Sequence, residues 1–502
     1  MKIATRPITT IVLLLFLMLP LGAAAAPFVY YDVNGDGEVN IADVNALVDR
    51  IVKGGGPGDD IPQPQELTGY LSAADYGAVG DGVTDDTPAL EALFADAFEK
   101  KQPIYIPEGI YLIRRPLTIR SGMEIYGDGL NTVIKKKAAV WSQLHRATNE
   151  GDTTLRLESV MGFNKGDHIF ITNIASATNP TFTSARNCSF GEITAIDTVN
   201  KTITFVSAYE GMKTGTVKAH AKGCYVSTSY PIMRSWSTRD ECIGVYIHDI
   251  CLDGNRQEGE PMEWTNACIH FDPYSTIPRN GIYNNQHSYN HTIERCLLIN
   301  ASFDAISDQG EGRLFVTDCI IKNCAMHGIH MGTTFSGAVI SGNKMFGNSI
   351  RGAGVFCCQS VTNVVVDNNE ISAFNHGCSD EEYGSSGKYL IIRNNWFRNI
   401  ASSVFDFLNA SNLAHGGGLQ ISENYIDGLN GPLFEGVYID NAIIAKNQVR
   451  SITTTPNYFI DVTNSQNIVI VGNKITGDYN IPEIIHSTDT NNLINSSNSW
   501  NY

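Results

Sequence analysis

One phase of a repeating pattern in the second half of the chain carries an acid, an imidazole and a guanidinium in succession. Asp304, His327 and Arg351 each stand eight residues past the centre of their repeat, and His376 stands seven past the next. Three residues beyond that phase come Ser307, His330, Gly354, Asp380, Asp406 and Glu435. If the repeats stack as strands about 4.8 Å apart, these side chains share one face. An arginine to neutralise a carboxylate, a neutral imidazole to take the proton beside it and an acid to orient the imidazole are what abstraction of such a proton requires. Asp380 and Asp406, expected on adjacent rungs, offer either a Ca²⁺ site or a pair of carboxylates; a separation of about 5 Å suits retaining glycoside hydrolysis better than inverting. The catalytic candidates are therefore Asp304, His327, His330, Arg351, Asp380 and Asp406, with His376 and Glu435 as substrate contacts.

These residues are positioned by eight copies of one unit. Its centres are Cys296, Cys319, Asn343, Asn369, Asn395, Asn424, Asn447 and Asn473, spaced 23, 24, 26, 26, 29, 23 and 26 residues apart. Each centre has an Ile or Val three positions before it and an apolar residue two after it. Steps of this length suit a coil of short strands and turns. One coil per repeat stacks each centre on the next, so the Asn amides bond along a column, and Asn tolerates the left-handed backbone of a tight turn. The expectation is an all-β right-handed parallel β-helix with an internal asparagine ladder. A leucine-rich solenoid is the competing reading, but its Leu-x-x-Leu-x-Leu signature is missing. Between Ile250, at the ladder phase, and Cys296 lie 46 residues, nearly two steps. The surplus loop 255–289 carries Trp264 and Tyr274, aromatics suited to sugar faces, as well as Phe271, Tyr283 and Tyr289.

Net charge is −17, and charged residues make up only 17% of the chain. An acidic surface argues against nucleic acid, and a polyanionic partner would need local Arg, Lys or Ca²⁺. Residues 1–26 read as a secretory signal peptide: Lys2 and Arg6, an apolar run from Ile11 to Leu19, then Gly22 and four alanines, with an apolar run too short to span a bilayer. The expected location is extracellular or periplasmic, with no membrane span. Eleven cysteines are scattered, none in metal spacing. Most read as buried small hydrophobes, and export leaves Cys319–Cys324 or Cys296–Cys319 open as disulfides.

Asp32, Asn34, Asp36, Glu38, Asn40 and Asp43, with Gly37 at the sharp turn, have the spacing of a Ca²⁺ loop. Val44, Leu47, Val48 and Ile51 then mark one apolar helical face. This EF-hand-like loop and helix, 29–53, resembles a single dockerin-type repeat. Dockerins carry two such repeats and this stretch one, which leaves a cohesin-type partner and a Ca²⁺-stabilised cap as alternatives. A Gly/Pro-rich linker, 54–69, leads to the main domain, 70–502. There Asp75-Tyr-Gly77-Ala-Val-Gly80-Asp81-Gly82 precedes Asp85-Asp-Thr87-Pro88, where Thr87 is expected to cap a helix with Pro88 at its first position. Leu90, Leu93, Phe94, Ala97 and Phe98 make that helix amphipathic, able to cover the open end of the coil. Short strands then follow at 104–113 and 123–129, and residues 153–224 read as a β excursion.

The block from Asp75 to about Lys137 resembles the first module of the pectin-lyase-like superfamily, in the branch of rhamnogalacturonase- and epimerase-like pectate lyases. The resemblance implies a secreted polysaccharide-active β-helix. A lyase or epimerase acting on uronate polysaccharide by C5 proton abstraction is the leading expectation, a glycoside hydrolase of pectic glycans the second, and a non-catalytic glycan-binding or adhesive β-helix the third. Mannuronan epimerases carry Asp-Pro-His where this chain has Asp304-Ala-Ile-Ser-Asp308, and of the polygalacturonase motifs only Met326-His327-Gly328 is similar.

Overall fold

The computed structural model describes residues 69–500 except 173–187, 207–215, 217–218, 236–240, 264, 272–274, 280–281, 285–286, 333–334, 349–350, 359–360, 382–387, 409–415 and 478. The expected leader, Ca²⁺ loop and linker, and Trp264 and Tyr274, lie outside the described residues. Leu67–Tyr502 forms one compact unit.

Alternating apolar and polar residues give short strands, and each coil contributes one strand to each of three parallel sheets. The result is the expected right-handed parallel β-helix. Within one coil, Ser288–Glu294 lies in sheet 1, Leu297–Ile299 in sheet 2 and Ile306–Asp308 in sheet 3, and the chain returns to sheet 1 at Gly312–Thr317. The Ile and Val three before each centre point inward: Ile293, Val316, Ile340, Val366, Ile392, Ile421, Ile444 and Ile470 are in register on sheet 1 and buried. One continuous apolar core runs the length of the coil.

The asparagine column occupies the turn from sheet 1 to sheet 2. The Nδ2 of each donates to the Oδ1 of the next from Asn343 to Asn473, at 2.9–3.0 Å, and Asn498 adds a rung beyond the eight centres. The same Oδ1 atoms accept a backbone N–H, and the Nδ2 atoms also reach carbonyls, so little of each buried amide is unbonded. The left-handed residue of this turn is not the ladder Asn but the one before it: Asp318, Asn368, Asn394, Glu423 and Lys446 have φ of 54–58°. The ladder residue must turn its amide inward, so its predecessor takes the bend. At the top of the column Cys296 and Cys319 donate thiol hydrogens to Ile247 and Ile293 carbonyls. Cys296, Cys319 and Cys324 carry free thiols, so neither disulfide left open by the sequence is formed.

The helix runs Thr87–Lys100 with Asp86, one residue earlier than expected, at the N-cap, and buries Leu90, Leu93, Phe94 and Ala97 in the coil core. The excursion is a six-stranded antiparallel sheet from Trp141 to Ser227 with its own apolar core around Leu155, Ile169 and Phe205. Where chain leaves and re-enters the coil, Lys136 is fully buried, its Nζ donating to Ser229 (3.0 Å), Glu260 (3.1 Å) and Ser302 (2.5 Å). That cluster fixes Ser302, two residues before Asp304.

Candidate functional site

Sheet 3 aligns one outward residue per coil. Arg234, His270, Ser307, His330, Phe356, Ser379, Asp406, Glu435, Asp461 and His486 are successive register partners. They face away from the core because their strand neighbours are drawn into it: Ile329 and Met331 flank His330, and Phe405 and Phe407 flank Asp406, all buried.

Asp304 enters sheet 3 from the preceding turn and is wholly buried. Its Oδ1 accepts the His327 backbone N–H at 3.0 Å and its Oδ2 faces His330 Nδ1 at 2.8 Å. A carboxylate oxygen only accepts, so Nδ1 of His330 carries the hydrogen and Nε2 is left to act. That Nε2 has no hydrogen-bond partner of its own among the described residues. Burial pulls the His330 pKa down, but the Asp304 charge and hydrogen bond, with the Cys358 thiol beside it, outweigh burial and raise it to about 9. Burial raises the pKa of Asp304, against the pull of His330.

His327 is set up differently. Its Nδ1 accepts the Ala353 backbone N–H at 3.0 Å, so the neutral ring presents Nε2–H, a donor. Burial first, then the neighbouring His330 and His376, hold its pKa well below the usual value. The Phe356 ring stacks on His327 at 4.1 Å and meets His330 edge-on at 4.9 Å, locking both imidazoles. Gly352 (φ 73°) is needed here, since a Cβ would lie 2.2 Å from the Met326 carbonyl oxygen and 3.0 Å from the His327 nitrogen.

On the following rungs His376 approaches Ser403 Oγ (3.0 Å) through Nδ1, while its Nε2 accepts from Asn375 Nδ2 (2.7 Å) and lies 3.4 Å from Asp406 Oδ2. Burial lowers the His376 pKa, against a weaker upward pull from the Ser403 carbonyl, which works against an ion pair with Asp406. Glu435 is the next register partner of Asp406.

Several expected placements change. Asp380 is not stacked on Asp406; Ser379 is, and Asp380 pairs with Phe407. Phe356, not Gly354, follows His330. The cause is the turn between sheets 2 and 3: from centre to outward residue is 11 positions for His330, 13 for Phe356 and 10 for Ser379. His327 is buried rather than pointing into solvent, and Arg351 is exposed at the turn leading to Ala353. Phe356, Ser379, Asn375 and Ser403 were missed, because none is a residue type that signals chemistry.

Asp304, His327 and His330 bring ligand-type atoms within 4.8 Å of one another. Both Asp304 oxygens and both Nδ1 atoms are already bonded, and Nε2 of His327 carries a hydrogen. The arrangement is better suited to moving a proton than to holding a cation.

Residues 70–330, more than half of the chain, match the family described as rhamnogalacturonase A/epimerase, pectate lyase-like. The chain belongs to that family. Residues 274–426 also match a right-handed β-helix region. This pectate lyase-like chain is 36% identical over 75 residues to the non-secreted LysM effector LysM19 of Penicillium expansum, covering 14% of the chain and 6% of that protein. It is 36% identical over 77 residues to the mannuronan C5-epimerase AlgE2 of Azotobacter vinelandii, covering 14% and 8%. The chain thus spans less than a tenth of the length of these relatives. Among solved structures, the A-module of the Azotobacter vinelandii mannuronan C-5 epimerase AlgE6 superposes with a TM-score of 0.46 at 15% identity, covering 86% of this chain and 100% of that one. No helix among the described residues is long and apolar enough to cross a membrane.

Proposed function

We propose that this member of the family is a secreted polysaccharide-active enzyme that abstracts the C5 proton of a uronate residue, as a lyase or an epimerase. The observation that carries the reading is the Asp304–His330 bond: a buried carboxylate fixes the imidazole tautomer and leaves Nε2 as the base. The proton moves from C5 to Nε2. In elimination the C4–O bond then breaks, the leaving oxygen takes its electron pair and a C4=C5 double bond forms; in epimerisation a proton returns to C5 from the opposite face. Nε2–H of His327 donates to a substrate oxygen, and Arg351 neutralises the uronate carboxylate, which acidifies the C5 hydrogen. His376, Asp406 and Glu435 line the face beyond. The base is thus His330, with His327 as donor, rather than His327 itself. The register pairing of Asp406 with Glu435 favours glycoside hydrolysis as the second reading.

The test is incubation with pectic, alginate and neutral glycans. The expected products arise on uronate polymers alone: either an unsaturated uronate absorbing in the ultraviolet, or altered uronate configuration without chain cleavage. New reducing ends without ultraviolet absorbance, kept in His330→Ala and lost in Asp406→Ala, would establish hydrolysis instead. A protein that binds these glycans and converts none is a binding module.

The same reading extends to the N-terminal stretch. A Ca²⁺ ion held by Asp32, Asn34, Asp36, Glu38, Asn40 and Asp43 would make that stretch a cation-dependent module, with a cohesin-type partner as one use. Calorimetry should find one Ca²⁺ site lost in the Asp32→Ala, Asp36→Ala double variant. Unchanged stoichiometry refutes it.

A further inference from the structure

Sheet 2 presents a surface of different character over the same coils. Its outward column places Lys344, Glu370, Trp396, Tyr425, Gln448 and Lys474 in register on successive rungs. Trp396 and Tyr425 are each 38% exposed, on a sheet whose inward partners Phe397 and Ile426 are buried. The Arg398 guanidinium lies 4.7 Å from the Trp396 ring centroid and that of Arg450 lies 4.9 Å from Tyr425. Trp396 Nε1 donates to Asp427 at 2.7 Å, and Arg398 meets Glu370 at 3.1 Å, so the two acids orient the ring and the guanidinium. Four exposed cations, Lys344, Arg398, Arg450 and Lys474, stand against these two half-buried acids. On a chain of net charge −17 this is a local positive strip with two aromatic faces in it.

We propose that this strip is a second binding surface for an anionic polysaccharide, separate from the Asp304–His330 face. Two features select that occupant. The charge is complementary to a carboxylate placed on each sugar, and the rungs recur about every 4.8 Å, roughly the length of one sugar residue, so cations two or three rungs apart can meet carboxylates two or three sugars apart. The aromatic rings supply apolar faces for the sugar rings between them. A neutral glycan would use the rings but not the surplus of cations over the two acids. The choice of a uronate polymer rests on the proposed function; the strip as an anion-binding surface does not.

Affinity electrophoresis of the full chain through gels containing polygalacturonate, alginate or neutral galactan tests it, in the His330→Ala background so that turnover cannot erode the gel. The anionic gels should retard the protein, less so at high salt, and the galactan gel should not. Trp396→Ala with Arg450→Ala should weaken retardation about tenfold. Arg450→Glu with Lys474→Glu, both fully on the surface, should do the same and guards against a folding defect in the first variant. In the catalytically intact protein neither pair should alter conversion of short uronate oligosaccharides, the assay that judges the proposed function by itself. Equal retardation of wild type and both variants, retardation by galactan alone, or sedimentation with anionic vesicles in the absence of gel retardation would each overturn the inference.

Discussion

Two columns of polar residues climb the same coil with the same period, and they are built in opposite ways. The asparagine column repeats one residue, buries it and bonds nearly every polar atom to the rung above or below. The outward column of sheet 3 changes residue at every rung and leaves His330 Nε2 without a hydrogen-bond partner among the described residues. A third arrangement sits between them: Asp308, on the inward side of the strand that carries Ser307, is fully buried with one oxygen bonded to the Gly310 N–H and the other without a partner among the described residues. Repetition with full bonding is a scaffold; variety with an available lone pair is chemistry. The two can share a coil because each is confined to its own face.

The largest expected effect is on the varied column. His330→Ala should reduce turnover about 10²–10⁴-fold, a larger effect than its cost in stability, about 1–3 kcal/mol for leaving the buried Asp304 carboxylate without its imidazole. Equal damage to both would class sheet 3 with the scaffold. Asp308 should give the next effect, on stability alone. Burial raises its pKa to about 7, above the unfolded value, so its contribution is fully present below the unfolded pKa and is lost as pH rises through 7. Asp308→Asn should therefore lose about 2–3 kcal/mol less stability than wild type between pH 5 and pH 8, read from denaturant titrations at the two values. Identical pH dependence would mean that the carboxyl is solvated or paired. The smallest is Asn395→Ala, which takes the Oδ1 acceptor from the Asn369 backbone N–H and amide and the Nδ2 donor from the Val366 carbonyl, and should cost about 1–3 kcal/mol by the same titration. A neutral result would remove the ladder from the account of what holds the coils.

The fold was legible because the scaffold repeats. Eight inward Ile and Val residues and eight turn centres, read at a nearly constant step, specify stacked coils. Counting from those centres also found Ser307, His330, Asp406 and Glu435 on one face. The count failed at Gly354 and Asp380, where the turn into sheet 3 lengthens to 13 positions and then shortens to 10. The roles of the two histidines were not legible at all. Spacing places His327 and His330 together, but which nitrogen carries the hydrogen depends on the Ala353 N–H for one ring and on Asp304 for the other, and both partners belong to other rungs. The Trp396–Tyr425 strip was passed over for a related reason, since its cations and rings converge only once the coils are stacked.

The central claim is that Asp304 fixes His330 as a base, and the pH dependence of kcat/KM on a uronate polymer measures it. In wild type the rate should climb about tenfold per pH unit to a limb near pH 9, where His330 loses its proton. In Asp304→Asn the amide hydrogens turn toward Nδ1, the imidazole hydrogen moves to Nε2, and the limb should fall toward the ordinary histidine value as the limiting rate drops about 10²–10⁴-fold. A limb that stays near pH 9 in Asp304→Asn, or a wild-type rate that is flat from pH 6 to 10, contradicts the assignment.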